Sequence, residues 1–369
     1  MPQIRLEHVT KRFEKFIAVD DLNMVIEDRD FITLLGPSGC GKTTTLRMIA
    51  GLETPTEGRI TIGDKVVFDA DKGINVSPAK RDIGFLFQNY ALWPHMTVYQ
   101  NIAFGLENLK WKKEDIKVRV QEMLEMLKIE EFVQRYPAEL SGGQQQRVAI
   151  ARTLAPKPQV LFMDEPLSNL DAKLRSEMRT ELKRLHSDSN STFVYVTHDQ
   201  LEAMTLATKV CLINKGVLQQ YEPPLTVYKR PQNLFVADFV GNPTMNFIPA
   251  KLEKKGKGFD VEFLGVKAHF KPNEALDATD KDVILGIRPE FFTITENGKI
   301  HALAYSTLPA GMETTVKVML NGELISSVVF GAIDYKVDQS INCDIIGDQV
   351  CVFDKESTNL ISQGSLEVR

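Results

Sequence analysis

The stretch Gly36-Pro37-Ser38-Gly39-Cys40-Gly41-Lys42-Thr43 decides the fold of this 369-residue chain. It fits the phosphate-loop pattern G-x-x-x-x-G-K-[ST], in which glycines let backbone N–H groups converge on a polyphosphate. The apolar run Phe31 to Leu35 predicts a buried strand before it, and Thr43 to Ala50 predicts a helix whose positive N-terminus faces the same anion. Lys42 can then reach the β- and γ-phosphates, and the Thr43 hydroxyl can ligate Mg²⁺. A chance glycine-rich turn is the alternative.

The composition is that of an ordinary globular protein, with 43% hydrophobic and 25% charged residues. The length suggests two or three domains. A net charge of −5 argues against non-specific nucleic-acid binding, although it leaves a local basic patch open.

The cysteines and the N-terminus indicate where the chain resides. Four cysteines without C-x-x-C spacing favour free thiols in a reducing cytosol over disulfides or a metal site: Cys40, Cys211, Cys343 and Cys351. Charged residues such as Arg5 and Glu7 replace the apolar core of a secretion signal. No run approaches the roughly 18 apolar residues of a membrane span. We therefore expect a soluble chain whose membrane role would come through a partner.

Short strands frame the phosphate loop on both sides. Alternating apolar residues predict half-exposed strands at residues 4–6 and 22–26, and residues 58–68 predict a hairpin with a glycine-containing turn. Phe13 and Phe16 lie in a charged setting between the first two strands. One of them could stack on a nucleotide base, since every base offers a π-face. Packing in the core is the alternative.

Two predicted buried strands end in polar residues that could act on a phosphate group. The apolar run Val160 to Met163 ends in Asp164 and Glu165, which is costly unless a metal ion or a positive charge compensates the carboxylates. In phosphate-loop enzymes the Asp helps to hold Mg²⁺, and a neighbouring acid can orient or deprotonate water. The run Phe193 to Val196 leads to His198, at the sheet edge where α/β proteins place functional groups. Surface acids and a structural histidine are the alternatives.

A third predicted strand, Ile83 to Phe87, ends at Gln88. The Gln88 amide could contact a metal ion or water, or it could be an ordinary solvated loop residue. The residues that follow, Tyr90 to Met96, are apolar but interrupted by Pro94. They predict a surface loop with an exposed hydrophobic patch, a common sign of a partner-binding site. Burial under another loop is the alternative.

Helices are predicted between and after these strands. Apolar residues three and four positions apart predict one helix from Glu114 to Ile129 and another that begins at Asp171. Between them, Leu140-Ser141-Gly142-Gly143-Gln144 leads into a helix that Ser141 could cap. The two glycines leave the N-terminus of that helix bare, which makes it a second potential anion site.

The spacing of apolar residues changes from about Pro243 onward. Helical periodicity stops, and short alternating strands appear between turn pairs such as Asn297-Gly298 and Asn321-Gly322. This predicts a separate small β-barrel or sandwich domain without a catalytic constellation.

Over residues 3–240 the chain resembles the ATPase subunit of ATP-binding-cassette (ABC) transporters, because independent motifs occur in the family's order. The matches are Gly36 to Thr43 with Walker A, Gln88 with the Q-loop, Leu140 to Gln144 with the LSGGQ signature, Val160 to Asp164 with Walker B, Glu165 with the catalytic acid, Ser168 to Asp171 with the D-loop, His198 with the switch histidine, and Phe13 with the aromatic A-loop position.

Further segments look like the carbohydrate-importer branch of that family, which includes maltose, multiple-sugar and glycerol-phosphate importers. They are Tyr90 to Val98, Ser168 to Asp171, Pro231 to Ala237, Gly241 to Asn246 and Gly286 to Glu290. The chain departs from the family pattern at Gln145, where Arg is frequent, at Met163, where Leu is usual, and in residues 69–77, which are slightly longer than typical. None of these departures falls on a catalytic position.

The resemblance implies an α/β P-loop NTPase core over residues 1–240, with a helical subdomain at about residues 89–158, and an all-β OB-like regulatory and dimerisation domain over residues 241–369. It implies ATP and Mg²⁺ as cofactors. The implied nucleotide-binding residues are Phe13, Gly36, Pro37, Ser38, Gly39, Cys40, Gly41, Lys42, Thr43, Thr44, Gln88, Ser141, Gly142, Gly143, Gln144 and Asp171. The implied metal ligands are Thr43, Gln88 and Asp164, and the implied catalytic residues are Glu165, His198 and Lys42.

The same resemblance implies the partners. Two copies would face each other head to tail around ATP, and the loop from Gln88 through Met96 would contact two transmembrane permease subunits at the cytoplasmic face of the membrane. A solute-binding protein outside the membrane would take part indirectly, and nucleic acid would not.

Two other functions remain open. An importer ATPase for polyamine, ferric iron or sulfate would share all the ATP motifs, although Gly241 to Asn246 and Gly286 to Glu290 favour sugar. A soluble cassette ATPase acting on ribosomes or DNA would typically carry paired cassettes or coiled-coil insertions. The ATPase does not touch the cargo, so its sequence names neither the solute nor any regulator of the C-terminal domain.

Overall fold

A computed structural model describes residues 3–168, 170–256, 258–276 and 281–369 of the chain. The chain forms two compact units, Met1–Pro224 and Leu225–Arg369. The domain boundary after residue 240 stays a prediction. Within the described ranges, no helix combines the length and the apolar character needed to span a bilayer.

The first unit is an α/β structure. Its strands are β1 (Ile4–Phe13), β2 (Phe16–Ile26), β3 (Phe31–Leu35), β4 (Glu57–Ile62), β5 (Lys65–Asp69), β6 (Ile74–Asn75), β7 (Ile83–Leu86), β8 (Val160–Asp164), β9 (Thr192–Val196), β10 (Lys209–Asn214) and β11 (Val217–Glu222). Its helices are α1 (Lys42–Ala50), α2 (Val98–Asn108), α3 (Lys113–Leu127), α4 (Gly142–Leu154), α5 (Ala172–Asp188) and α6 (Gln200–Leu206).

The central sheet has six strands in the order β11-β10-β3-β9-β8-β7. All neighbouring pairs are parallel except β10 and β11. The strands β3, β8 and β9 are buried along their whole length, as expected for parallel strands covered on both faces. Because their carboxyl ends lie at one edge of the sheet, the residues that follow β3, β7, β8 and β9 are brought together there.

A second sheet and a helical layer complete this unit. The antiparallel sheet has the order β2-β1-β4-β5-β6, and its apolar face packs on helix α1 and the central sheet in one buried cluster. Helices α2, α3 and α4 share a second cluster with β8, β9 and α5. Ile116, Val120 and Leu124 form part of the buried stripe of α3, because residues at such spacings lie on one face of a helix.

The second unit is mainly β-structure. It holds α7 (Pro224–Lys229, which begins at the last residue of the first unit), α8 (Leu234–Phe239), β12 (Asn246–Lys255), β13 (Gly258–Phe263), β14 (Val266–Pro272), β15 (Lys281–Ile287), β16 (Phe292–Ile294), β17 (Ile300–Pro309), β18 (Glu313–Leu320), β19 (Glu323–Phe330), β20 (Ser340–Ile345), β21 (Val350–Asp354) and β22 (Leu360–Val368). Six strands close a barrel in the order β12-β13-β14-β22-β21-β15, and the other five form a sheet in the order β16-β20-β17-β18-β19. One apolar cluster contains buried residues from both the barrel and the sheet.

A buried arginine joins the helices of the second unit to its barrel. Arg288 is 2% exposed, and its guanidinium donates to the carbonyl oxygens of Tyr228, Ala237 and Val240. The guanidinium also lies 4.1 Å from the centre of the Tyr228 ring. Two segments that sequence analysis identified separately are therefore in contact. They are residues 231–246 and residues 286–290, and Arg288 joins them.

The fold expected from the sequence is confirmed. The helix predicted from Glu114 to Ile129 spans Lys113–Leu127, and Ser141 caps α4 as predicted. The strand predicted to reach Phe87 ends at Leu86. The predicted C-terminal β domain contains a closed barrel, and all four cysteines are buried and unbonded.

Candidate functional site

The phosphate loop joins the end of β3 to the first turn of α1. Gly36, Gly39 and Gly41 have φ angles of 150°, 77° and 109°, which glycine adopts without a Cβ penalty. The Lys42 ammonium is buried and donates to the carbonyl oxygens of Gly36 at 2.8 Å and Pro37 at 2.9 Å. These contacts hold the positive charge of Lys42 inside the curve of the loop.

The loop is tightly packed on one side and open on the other. An ideal Cβ on Gly36 would lie 2.1 Å from the Ile213 carbonyl oxygen, whereas a Cβ on Gly39 would meet nothing within 4 Å. Gly36 therefore fixes the loop against β10, and Gly39 leaves room for a ligand to approach the backbone.

Asp164 at the end of β8 faces the start of α1. The Thr43 hydroxyl donates to Asp164 Oδ1 at 2.9 Å, and an Arg47 nitrogen lies 3.5 Å from Asp164 Oδ2. Burial raises the pKa of Asp164, while the Thr43 hydrogen bond and the charge of Arg47 lower it. A hydroxyl and a carboxylate in contact provide the hard oxygen ligands that Mg²⁺ prefers, so these residues fit a magnesium ion. Thr43 and Arg47 offset part of the cost of burying this carboxylate, whose pKa stays raised by burial.

Glu165 lies in contact with two other residues singled out from the sequence, Gln88 and His198. Its carboxylate accepts a hydrogen bond from the Gln88 amide at 3.2 Å, and its Oε1 lies 3.4 Å from His198 Nδ1. Its backbone has a φ of 45°, and its N–H donates to the Val196 carbonyl oxygen at 3.1 Å. The unusual backbone of Glu165 is thus held by the neighbouring strand β9, a pattern found at functional sites.

Gln88 differs from a simple solvated loop residue, because its exposed side chain is hydrogen-bonded to Glu165. No hydrogen bond among the described residues joins it to Thr43 or Asp164. Its role as a metal ligand stays a prediction.

The aromatic residues near the N-terminus are on the surface. Phe13 is 44% exposed and Phe16 is 59% exposed, so neither packs in the core. The Lys11 ammonium lies 4.6 Å from the centre of the Phe13 ring. Adenine stacking by Phe13 stays a prediction.

The signature segment forms a capped helix N-terminus. The Ser141 hydroxyl accepts from the Gln144 N–H at 3.4 Å, and the Gln144 side chain accepts from the Ser141 N–H at 2.8 Å. Ser141 and Gly142 are exposed, whereas Gly143 is buried against Leu174. No hydrogen bond or ion pair among the described residues connects this helix start to the phosphate loop, and its role as a second anion site stays a prediction.

The segment before α5 is only partly described, because Asn169 lies outside the described residues. The Ser168 hydroxyl donates to the Glu165 carbonyl oxygen at 2.9 Å. Asp171 caps α5, since its Oδ1 accepts from the Leu174 N–H at 3.0 Å. Any contact of Asp171 with nucleotide stays a prediction. Thr44 lies in the first turn of α1.

The loop Tyr90 to Met96 is partly buried and partly exposed, so it combines the two alternatives considered from the sequence, an exposed apolar patch and burial. Tyr90 is buried and Leu92 packs on the helical cluster, whereas Trp93, Pro94 and His95 are exposed. The loop thus has an anchored base and an apolar tip that is accessible to a partner.

Two residues of α4 that were missed in the sequence hold this loop and the segment that follows β8. Arg152 donates to the carbonyl oxygens of Tyr90 at 2.7 Å and Ala91 at 2.6 Å. The fully buried Gln146 amide donates to the Pro166 carbonyl oxygen at 3.0 Å. Gln146 lies three and four positions before the apolar Ala149 and Ile150, on the buried face of α4, and this spacing is the sequence signal that could have indicated it.

Comparisons with known proteins agree with this geometry. Residues 19–168 match the family described as ABC transporter, and residues 241–292 match the MalK OB fold domain. The chain is 44% identical to the trehalose/maltose import ATP-binding protein MalK of Thermococcus litoralis, over 98% of this chain and 100% of that protein. It is 48% identical to the oligosaccharides import ATP-binding protein MsmX of Bacillus subtilis, over 79% of this chain and 78% of that protein.

Two further similarities bear on the function. The Fe(3+) ions import ATP-binding protein FbpC of Fusobacterium nucleatum is 41% identical over 98% of this chain and 96% of that protein. Among solved structures, the chain resembles the dimeric post-hydrolysis state of the ATP-binding cassette MJ0796 bound to ADP and Pi, with a TM-score of 0.52 and 33% identity over 60% of this chain and 98% of that one.

Proposed function

Because this chain belongs to the ABC transporter family, as an ATP-hydrolysing subunit of an import system, we propose that it energises the uptake of a sugar or a related solute. The observation that carries the chemistry is the meeting of Gln88, Glu165 and His198 at the sheet edge that also holds the phosphate loop. The sugar assignment is supported by the MalK and MsmX similarities and by the MalK-type OB segment.

The residues at the loop would bind the triphosphate and its metal ion. Backbone N–H groups of the loop and the N-terminus of α1 face the phosphates, and Lys42 would exchange its carbonyl acceptors for phosphate oxygens. Thr43, Asp164 and Gln88 would hold Mg²⁺, which supplies charge neutralisation during phosphoryl transfer.

Glu165 and His198 would act on the water and the γ-phosphate. Glu165 is the general base that orients and deprotonates the attacking water, and Gln88 holds its carboxylate. His198, whose Nδ1 lies 3.4 Å from Glu165 Oε1, would contact the γ-phosphate. Lys42 stabilises the charge that develops on the transferred group. Phe13, at the tip of the β1–β2 hairpin, would stack on adenine.

Two copies are needed to enclose ATP. In one copy the helix start at Ser141 and Gly142 is exposed, and neither this helix start nor the phosphate loop alone would exclude water from the γ-phosphate. A head-to-tail pair would place the signature of one copy, which includes Gly143 and Gln144, on the ATP bound by the other, with Asp171 of the first copy beside it. Closure on ATP and opening after hydrolysis is then a two-state switch that depends on differential affinity for ATP.

The exposed tip of the loop Tyr90 to Met96 is the proposed contact with two transmembrane permease subunits. The chain would therefore work at the cytoplasmic face of the membrane, and a solute-binding protein would deliver the cargo to the permeases. The second candidate cargo is ferric iron, which the similarity to FbpC favours.

Co-purification tests this function. The tagged full-length chain is recovered from gently solubilised membranes, and its partners are identified by mass spectrometry. We expect two polytopic permease subunits and a sugar-binding protein. An iron-binding protein in their place would select the second candidate, and recovery with ribosomes or DNA-bound proteins alone would contradict the importer assignment.

A further inference from the structure

A buried carboxylate lies next to the site without taking part in the proposed chemistry. Glu202, in the first turn of α6, is 3% exposed. Its Oε2 accepts hydrogen bonds from the Tyr195 hydroxyl at 2.8 Å and the Thr197 hydroxyl at 2.6 Å. Burial raises the pKa of Glu202, while both hydroxyls lower it. Such a costly group is retained where its hydrogen bonds fix a geometry.

Three hydrogen bonds join Glu202 to the residues on both sides of His198 and form a closed ring. The Thr197 oxygen, which donates to Glu202, also accepts from the Asp199 N–H at 3.0 Å. Asp199 Oδ1 in turn accepts from the Glu202 N–H at 3.0 Å. The residues on both sides of His198 are therefore bound to each other and to the start of α6.

A cation connects the same ring to the segment before α5. Arg175 lies 3.6 Å from Asp199 Oδ2 and donates to the Leu170 carbonyl oxygen at 3.0 Å. The ring is thus attached to two elements, α5 and α6, and not only to its own strand β9.

The His198 side chain itself has few constraints. It is 58% exposed, and its contact with Glu165 is 3.4 Å long. Its position is therefore set mainly by its backbone, which the ring holds in place. We propose that Glu202 and Thr197 are positioning residues that fix the backbone of His198 so that its imidazole meets the γ-phosphate. This inference rests on the proposed role of His198 in hydrolysis.

The test is a double-mutant cycle on the full-length chain. Steady-state kcat and KM for ATP and the single-turnover hydrolysis rate are measured for Thr197→Val, for His198→Ala and for the double variant. We expect Thr197→Val to lower kcat about 10- to 100-fold with little change in KM, because a small misplacement of a reacting group has this effect. In the His198→Ala background the same substitution should cause no further loss, since it acts through the missing imidazole.

Two variants serve as controls. Thr197→Ser restores the hydroxyl and should restore most of kcat. Thr205→Val, on the same helix α6, removes a hydroxyl that donates to the Leu201 carbonyl oxygen outside the ring, so it should leave kcat unchanged. If Thr197→Val does not fold, Glu202→Gln replaces it in the cycle, because it keeps the shape but weakens the acceptor.

The outcomes separate this inference from the proposed function. A low kcat in His198→Ala with wild-type kcat in Thr197→Val overturns the positioning role alone. Equal losses from Thr197→Val in both backgrounds also overturn it, because the hydroxyl then acts independently of His198. An unchanged kcat in His198→Ala removes the proposed role of His198, and the positioning inference with it.

Discussion

At the scale of single residues, the proposed chemistry depends on where Glu165 is held. Its φ of 45° is uncommon for a residue with a Cβ, and its N–H bond to Val196 keeps it there. The carboxylate is then fixed between Gln88 and His198. A general base that is positioned before the substrate binds loses little entropy during the reaction.

The first prediction concerns Glu165→Gln. The amide cannot accept the proton of the attacking water, so we expect kcat to fall by about 10²–10⁴ while ATP affinity is retained. Hydrolysis and nucleotide binding are measured on the full-length chain, with Glu177→Gln, an exposed position on α5, as the matched control. Wild-type-like hydrolysis in Glu165→Gln would overturn the role given to Glu165.

At the scale of elements, two glycines of the phosphate loop should respond differently to the same substitution. A Cβ at Gly36 would lie 2.1 Å from a backbone oxygen of β10, at a φ of 150°. We expect Gly36→Ala to lower the free energy of unfolding by about 2–6 kcal/mol, from overpacking and strain. At Gly39 only the φ of 77° is unfavourable for alanine, so Gly39→Ala should lower the free energy of unfolding by about 1–2 kcal/mol.

Urea denaturation and ATP binding check this pair together. The Gly39 methyl group would stand where phosphate approaches the backbone, so Gly39→Ala should lose ATP affinity even though it stays folded. Equal destabilisation by the two substitutions would show that the packing of Gly36 against β10 does not hold the loop.

The barrel contains an acid-sensitive connection between strands. Asp260 on β13 accepts hydrogen bonds from Lys255, from His269 on β14 and from Arg369 after β22. These bonds, the one from Lys255 first, hold the pKa of Asp260 below its ordinary value of 3.8. The folded state therefore gains stability from this carboxylate above about pH 4 and loses it progressively as the pH falls further.

Asp260→Asn should therefore lower the melting temperature at pH 7 and reduce its dependence on pH below about 4. Melting curves from pH 2 to pH 7 compare the native chain, Asp260→Asn and Glu262→Gln, which alters an exposed carboxylate on the same strand. Parallel pH profiles for the native chain and Asp260→Asn would contradict the prediction.

Sequence patterns predicted the helices and strands well, because burial determines where apolar residues stand. A strand buried on both faces is a continuous apolar run, and a helix buried on one face has apolar residues three and four positions apart. The uninterrupted apolar run Val160 to Met163 and the spacing of Ile116, Val120 and Leu124 identified β8 and α3. Contacts between residues far apart in the sequence produce no such pattern. The bond from Gln88 to Glu165 spans 77 positions and that from Arg152 to Tyr90 spans 62, and both depend on how the sheet and α4 are packed.

At the scale of the whole molecule, the proposed ATP-dependent dimer can be tested at Gly142. A Cβ at this exposed position would meet nothing within 4 Å, so substitution should not disturb the fold. An aspartate at a helix N-terminus is itself favourable. In the proposed pair it would face the γ-phosphate bound by the other copy and repel it.

We therefore expect Gly142→Asp, introduced into the Glu165→Gln chain, to bind ATP as a monomer but not to dimerise with it. Sedimentation velocity with and without ATP measures the association, and Gly142→Ala in the same background should still dimerise. ATP-dependent dimers of the aspartate variant would place the signature segment away from the partner's nucleotide.

Helix α4 connects two proposed contact sites. Its start would contact the ATP bound by the second copy, and its end holds the loop that would contact the permeases. Ser141 lies at its exposed start, and Arg152, about 16 Å further along the axis, holds the backbone of Tyr90 and Ala91. If α4 moves as one unit, a displacement at its bound start would be passed to the loop Tyr90 to Met96, the proposed contact with the permeases. The movement of the loop would then depend on how far the ATP bound by the second copy displaces Ser141.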